Sequence, residues 1–206
     1  INDLDQSVTT ASLIKVSASE VEDQDTVLLG GFDKLYVGPQ GFYLIKERLN
    51  WFYWDDRLVN SSNVFYQRMS IIRLENKNGA LLPTSAGIVN GTIHNVWALK
   101  EFPENKSLAI ATTFSGQVEE TNPDDPISSP PIPFGENRNQ LSVYDFSGTS
   151  FALKGQTPEF GITEDIRSVR YIDDRAYVVT FKNTDPLYTI DLSNLADPKI
   201  LSELKV

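Results

Sequence analysis

There is no cysteine among the 206 residues, so neither a disulfide framework nor a thiolate metal site can exist. Histidine and methionine occur once each, as His94 and Met69. Histidine metal centres draw on further ligands, and none stands close to His94 in sequence. No apolar run approaches the roughly 20 residues that a membrane-spanning helix needs. Basic residues are also scarce, 18 against 28 acidic ones, for a formal net charge of −10. That balance argues against a nucleic-acid binder, which needs a basic stripe to displace counterions from phosphates. It equally disfavours docking on anionic lipid, and what it supplies is solubility. Motifs of common catalytic machinery are missing too: no G-x-S-x-G elbow, no phosphate-cradling glycine loop and no H-E-x-x-H. The chain opens at Ile1 without Met, charged n-region or h-region, which reads as a piece of a longer protein.

What is present is strand-like. Apolar residues make up 40% of the chain, enough for a substantial core, and they alternate or run in groups of four to six. Val, Ile, Thr and Tyr dominate these groups, as expected of pleated, half-buried surfaces. The best helix candidate is Asp191 to Leu195, a turn or two at most. An all-β fold is therefore expected.

A repeat lies beneath unequal loops. Octapeptides of one pattern begin at Ala11 (ASLIKVSA), Met69 (MSIIRLEN), Leu141 (LSVYDFSG) and Leu187 (LYTIDLSN). Each has β-branched, aromatic or aliphatic residues at its centre. A charged residue follows at the fifth place (Lys15, Arg73, Asp145, Asp191) and a large apolar one at the sixth (Val16, Leu74, Phe146, Leu192). Another apolar segment follows each octapeptide, around Val27, Leu81, Ala152 and Ile200. Next come Lys34–Val37, His94–Leu99 or Arg167–Ile172, and then Phe42–Ile45, Leu108–Thr113 or Ala176–Phe181. Four strands per unit, joined by Gly, Asn and Asp turns, is the layout of a β-propeller blade. The expected architecture is a partial β-propeller in one domain: an N-terminal half blade at about 9–31, then antiparallel four-stranded blades at about 32–91, 92–163 and 164–206. An incomplete ring leaves edges open, so copies are expected to associate.

From Arg167 the text becomes recognisable. Arg167–Phe181 (RSVRYIDDRAYVVTF), Asp185–Ser193 (DPLYTIDLS) and Asp197–Val206 (DPKILSELKV) closely resemble bacterial secreted proteins with a C-terminal β-propeller domain. That family carries text of the form R-A-Y-V-V-T-F, D-P-L, I-D-L, P-K and G-E-L-K, and Ser202 stands here where its Gly is usual. Ile110–Phe114 and Val89–Gly91 are similar as well. The resemblance implies the propeller fold, further blades beyond the chain, and a secreted or cell-envelope location. It implies no activity.

The candidate sites follow from unusual loops. Asn50–Arg57 (NWFYWDDR) holds four consecutive rings, which cannot all point inward from a strand whose faces alternate. Trp51, Tyr53, Trp54, Asp55 and Asp56 are the binding candidates there, because Trp and Tyr anchor interfaces. The competing reading has the rings cap the blade. A second insert, 116–139, occupies the same position in the next blade, so both leave the same rim. Its Glu119, Glu120, Asp124 and Asp125 could offer oxygens to Ca²⁺, but the spacing of a calcium loop is absent and the prolines favour an extended excursion. No other metal or cofactor is expected, and no catalytic residue is named. The pairs Glu164–Asp165 and Asp173–Asp174, and Asp185 before Pro186, read as turn formers. The functional expectation is a non-catalytic exported module that binds a protein, glycan or envelope partner through one rim. The alternative is a hydrolase at the central channel of a complete ring.

Overall fold

The structure, a computed structural model, describes the backbone of residues 8–16, 21–29, 31–49, 63–65, 67–115, 117–119, 136–182 and 185–205, with side chains within 31–47, 68–114, 136–182 and 185–205. Every pairing between its named strands is antiparallel. Strands β1 (Val8–Val16) and β2 (Val21–Leu29) pair as a separate hairpin, from Val8↔Leu29 to Val16↔Val21. The first blade is β3 (Lys34–Val37), β4 (Phe42–Leu49), then β6 and β7, with the short β5 (Asn63–Phe65) standing apart from its sheet. Strands β6 (Gln67–Lys77) and β7 (Ala80–Asn90) are joined by a two-residue turn, Asn78-Gly79. Both turn residues have positive φ, 56° and 92°, the conformation that matches the twist of a hairpin.

The second blade runs β8 (Leu99–Phe102), β9 (Ser107–Ser115), β11 and β12, again with a short outlier, β10 (Gln117–Glu119). Strands β11 (Asn137–Asp145) and β12 (Ala152–Gln156) complete it. The third is an uninterrupted meander: β13 (Asp165–Ile172), β14 (Arg175–Phe181), β15 (Leu187–Asp191) and β16 (Lys199–Leu204). Each octapeptide of the three blades thus falls on a third strand, and the apolar segment after it on a fourth.

Burial follows position in the stack. The middle blade is covered on both faces, so Leu108-Ala-Ile-Ala111 is buried without alternation. In the third blade burial does alternate: Ala176, Val178 and Thr180 on β14, Tyr188 and Ile190 on β15. One continuous core, from Tyr43 and Ile45 through Ile110 and Val143 to Val178 and Ile190, runs across all three blades. Burying each large aliphatic in it contributes about 1.5–3 kcal/mol.

Neighbouring blades are tied at their outer strands. The turn between the third and fourth strands of the second blade lies on β7, where Ala86 N–H donates to Thr149 O at 3.0 Å and Phe151 N–H to Ala86 O at 3.2 Å. Ser85 Oγ donates to the carbonyls of Phe146 and Gly148, at 3.1 and 2.7 Å. The corresponding turn of the third blade lies on β12 so closely that a Cβ on Gly155 would sit 2.6 Å from the Ala196 backbone.

Two local expectations are corrected. The stretch His94–Leu99 is not one strand: Asn95 Oδ1 accepts from Trp97 N–H at 3.0 Å, so Val96–Ala98 forms a 3-10 turn and β8 starts at Leu99. Asp191 to Leu195 is not helical. Asp191 ends β15, Ser193 N–H donates to its carboxylate, and Ala196 N–H donates to Asn194 Oδ1. Such local bonds divert the backbone from a helix. A second 3-10 turn, Pro103–Asn105, follows β8. Among the described residues no helix is long and apolar enough to cross a membrane.

Candidate binding rim and the inter-blade ion pair

The two inserts leave their blades between second and third strands, and the structure joins them. β5 and β10 form a two-stranded antiparallel ladder, with Asn63↔Glu119, Val64↔Val118 and Phe65↔Gln117 opposed. A loop on each blade at the same end can reach its neighbour, and the ladder satisfies backbone groups that would otherwise need water. The pairing joins the described ends of the two inserts across adjacent blades.

Beneath that surface the rim is hydrogen-bonded from blade to blade. Thr92 and Thr113 exchange backbone bonds at 2.8 and 3.0 Å, so the crossover into the second blade is clamped to β9. Ile93 N–H donates to Glu47 Oε1 at 3.1 Å, while Lys34 holds Glu47 Oε2 at 2.6 Å. Asn139 is fully buried and carries the next crossover. Its Nδ2 donates to the carbonyls of Phe160, Gly161 and Glu164 at 3.3, 2.9 and 3.0 Å. Its Oδ1 accepts from Thr113 Oγ1 at 2.7 Å, and that hydroxyl accepts from Ile166 N–H at 3.1 Å. Glu164 Oε2 accepts from Thr180 Oγ1 at 2.5 Å. Burial, reinforced by the Glu203 and Glu164 carboxylates, raises the Tyr188 phenol to about 12, so it stays neutral. These groups are spent on holding blades together, which makes the rim a stiff platform for the inserts.

At the opposite end of the blades lies a buried ion pair. Arg73 on β6 and Glu101 on β8 are each 2% exposed, and their side chains meet at 2.9 Å. Glu101 Oε2 also accepts from the N–H groups of Gln40 and Gly41, at 2.9 and 3.2 Å. Arg73 Nε donates to Tyr43 Oη at 3.1 Å, one amino group pairs with Glu75, and Cζ lies 4.2 Å from the Phe146 ring centroid. The turn must run close to reach both charges: a Cβ on Gly41 would stand 2.7 Å from Arg73 Nε. Desolvation raises the Tyr43 phenol, with the Glu101 charge adding to it. The Arg73 hydrogen bond lowers the Glu75 carboxyl.

The fifth octapeptide position behaves differently in the other blades. Asp145 and Asp191 each accept from a backbone N–H two residues on, that of Ser147 and Ser193, at 2.8 and 3.0 Å. The sixth residue (Leu74, Phe146, Leu192) is buried in all three. A family model for the beta propeller domain matches residues 2–206. The chain belongs to that family. An uncharacterized protein of Archaeoglobus fulgidus is 40% identical over 70 residues, 34% of this chain and 11% of that protein. An uncharacterized protein of Methanocaldococcus jannaschii is 56% identical over 43 residues, 21% of this chain and 7% of its own length. The matched segments are thus small parts of both archaeal relatives. No solved structure matches the chain.

In this propeller, the binding candidates Trp51, Tyr53, Trp54, Asp55 and Asp56 lie outside the described residues. So do Glu120, Asp124 and Asp125, and of Glu119 only the backbone is described. His94 is exposed at the crossover into the second blade. Among the described residues no three His, Asp or Glu side chains are grouped to hold a metal ion. Asp173 and Asp174 form the tight β13–β14 turn, with Asp173 at φ 50°. Neither Asn139 nor the Arg73–Glu101 pair was singled out from sequence as a buried polar group. Arg73 had a signal: of the two octapeptides with a cation in the fifth place, Lys15 and Arg73, it alone has a carboxylate two residues on, Glu75.

Proposed function

We propose that the chain is a non-catalytic propeller module of an exported or cell-envelope protein, and that it binds a protein or glycan through the insert-bearing rim. One observation carries the reading: β5 and β10 pair across adjacent blades, so two long inserts present one surface on a rigid, hydrogen-bonded platform. Binding residues concentrate on loops that a rigid scaffold positions. The aromatic residues Trp51, Tyr53 and Trp54 belong to the first of these inserts and supply the anchors such a surface needs.

The test is a glycan array, together with capture from envelope extracts, using the 206-residue chain and its Trp51→Ala/Trp54→Ala variant. Binding by the parent that the variant loses supports the rim. Binding that survives the double replacement removes the aromatic insert from the site. The outward face of the third blade leaves Ile172, Phe181 and Leu204 exposed, and we include self-association of copies in the proposal. Sedimentation that shows a monomer at every concentration would contradict that part.

A further inference from the structure

A second surface lies on the first strands of the blades. Trp97 is 61% exposed, although tryptophan is on average a highly buried residue. Its turn is fixed by the Asn95 cap, so the indole is held out at the entry to β8. Arg170, on the neighbouring first strand β13, places its guanidinium over that ring with Cζ 5.4 Å from the centroid. The hydrogen bond Arg170 makes goes to a backbone carbonyl, that of Val169, at 2.8 Å. Three residues beyond Trp97, the Lys100 ammonium donates to the backbone carbonyl of Asp173 and lies 5.0 Å from the Phe102 ring.

Among the described residues these cations differ from those held in ion pairs. Lys34, Lys46, Arg73, Lys77, Arg138, Lys199 and Lys205 all meet a carboxylate. Among the described residues Lys100 and Arg170 meet rings and carbonyls and no carboxylate at ion-pair distance, as Lys154 meets a carbonyl and a hydroxyl. The acidic groups that border them are Asp173 and Asp174 in the β13–β14 turn and Asp165 near Arg167, at 3.8 Å. Glu101, next to Lys100, is committed to Arg73.

We propose that Trp97, Lys100 and Arg170 form a binding site for a carboxylate-bearing sugar. The exposed indole face takes the apolar face of a pyranose ring, the guanidinium fork takes the carboxylate, and the Lys100 ammonium adds positive charge along the same first strands. A dense polyanion such as nucleic acid would require a longer basic track and is repelled by the net charge of −10. A short acid responds mainly to the local pair, since charges beyond about 8 Å are screened at physiological salt. An acidic peptide would use the cations without needing the indole face. This site lies apart from the inserts, so its failure leaves the rim reading standing.

Isothermal titration of the 206-residue chain with trigalacturonate tests it. The expected result is saturable binding that Trp97→Ala and Arg170→Gln each weaken about tenfold or more. Arg138→Gln, which removes a cation paired elsewhere with Glu159, leaves it unchanged. The methyl ester of the same sugar loses about as much affinity, because its charge is gone. Circular dichroism confirms that the variants fold, as truncating an exposed ring removes little buried area. Absence of trigalacturonate binding, wild-type affinity in Trp97→Ala, or equal affinity for the ester would overturn the proposal. Hexaglutamate that binds as tightly and ignores Trp97→Ala would assign the cations to an acidic peptide instead, and would overturn it too.

Discussion

Replacing Glu101 by Ala removes one half of the buried pair between the first two blades. Arg73, whose side chain is only 3% exposed in the intact chain, then keeps Glu75 as its remaining carboxylate partner. The N–H groups of Gln40 and Gly41 lose their acceptor as well. Leaving one buried charge unpaired costs about 3–5 kcal/mol. The Glu75 contact and the stacking on Phe146 soften the loss, which places Glu101→Ala at about 3 kcal/mol. Glu101→Gln keeps one acceptor oxygen and costs somewhat less. The double variant Arg73→Met/Glu101→Met removes both charges and recovers most of the stability, since apolar replacements of buried pairs are often neutral or better. Equilibrium urea denaturation followed by circular dichroism measures all three, and the cycle gives the coupling directly. A Glu101→Ala loss below about 1 kcal/mol, or a double variant no more stable than the single one, would refute the claim that this pair holds the blades in register.

Three further outcomes follow from the same geometry. Asn139→Leu leaves the Glu164 carbonyl and the Thr113 hydroxyl without the amide, while the Phe160 and Gly161 carbonyls keep backbone donors, and at about 1–3 kcal/mol for each buried polar group left unpaired it should be strongly destabilising in denaturant titrations; a loss under about 1 kcal/mol would contradict this. Gly155→Ala forces a methyl against the Ala196 backbone and costs about 1–3 kcal/mol, whereas Gly148→Ala, with nothing within 4 Å, stays within about 0.5 kcal/mol; equal thermal shifts would refute the packing. Acid should destabilise the chain. The Arg73 hydrogen bond lowers Glu75, and the hydroxyl and N–H of Ser147 lower Asp145, so each folded value lies below its unfolded one. Their stabilisation is complete above the usual carboxylate value, about pH 4, and is lost as pH falls through the folded values. The urea midpoint should therefore drop below about pH 4, and Glu75→Gln with Asp145→Asn should shallow that drop; a drop of the same depth in the double variant would contradict the assignment.

The strands were legible because their burial is periodic. The octapeptides marked third strands since their sixth residue fills the core, whereas the turns that Asp145 and Asp191 make through the Ser147 and Ser193 N–H groups were not read from the sequence. The unbroken Leu108–Ala111 run marked a strand, and the structure adds that both of its faces are covered. What stayed hidden depends on registry between blades. Leu99-Lys-Glu-Phe102 puts two opposite charges on alternate faces, and nothing local says that Glu101 enters the core while Lys100 does not. The position of Arg73 on the next blade decides it. Asn139 reads as an ordinary polar strand residue until the returning crossover brings three carbonyls to it. His94–Leu99 looked extended because Val96 and Trp97 favour strands, yet one side-chain bond from Asn95 to the Trp97 N–H bends it. The two inserts were placed on one rim by their shared position, but their pairing requires the inter-blade geometry.

That pairing is the centre of the account, and the absence of cysteine makes it directly testable. Val64 and Val118 stand opposite each other in the ladder. Opposed residues of an antiparallel pair have Cα atoms about 4.5–5.5 Å apart, within the range a disulfide spans. The variant Val64→Cys/Val118→Cys should form an intramolecular disulfide on mild oxidation, seen as loss of free thiols and faster migration without reductant. Val64→Cys/Asp197→Cys, with the second thiol on the β15–β16 turn at the other end of the third blade, should not. Thiols that stay free in the first variant, or that close equally well in the second, would contradict a single paired surface on the rim.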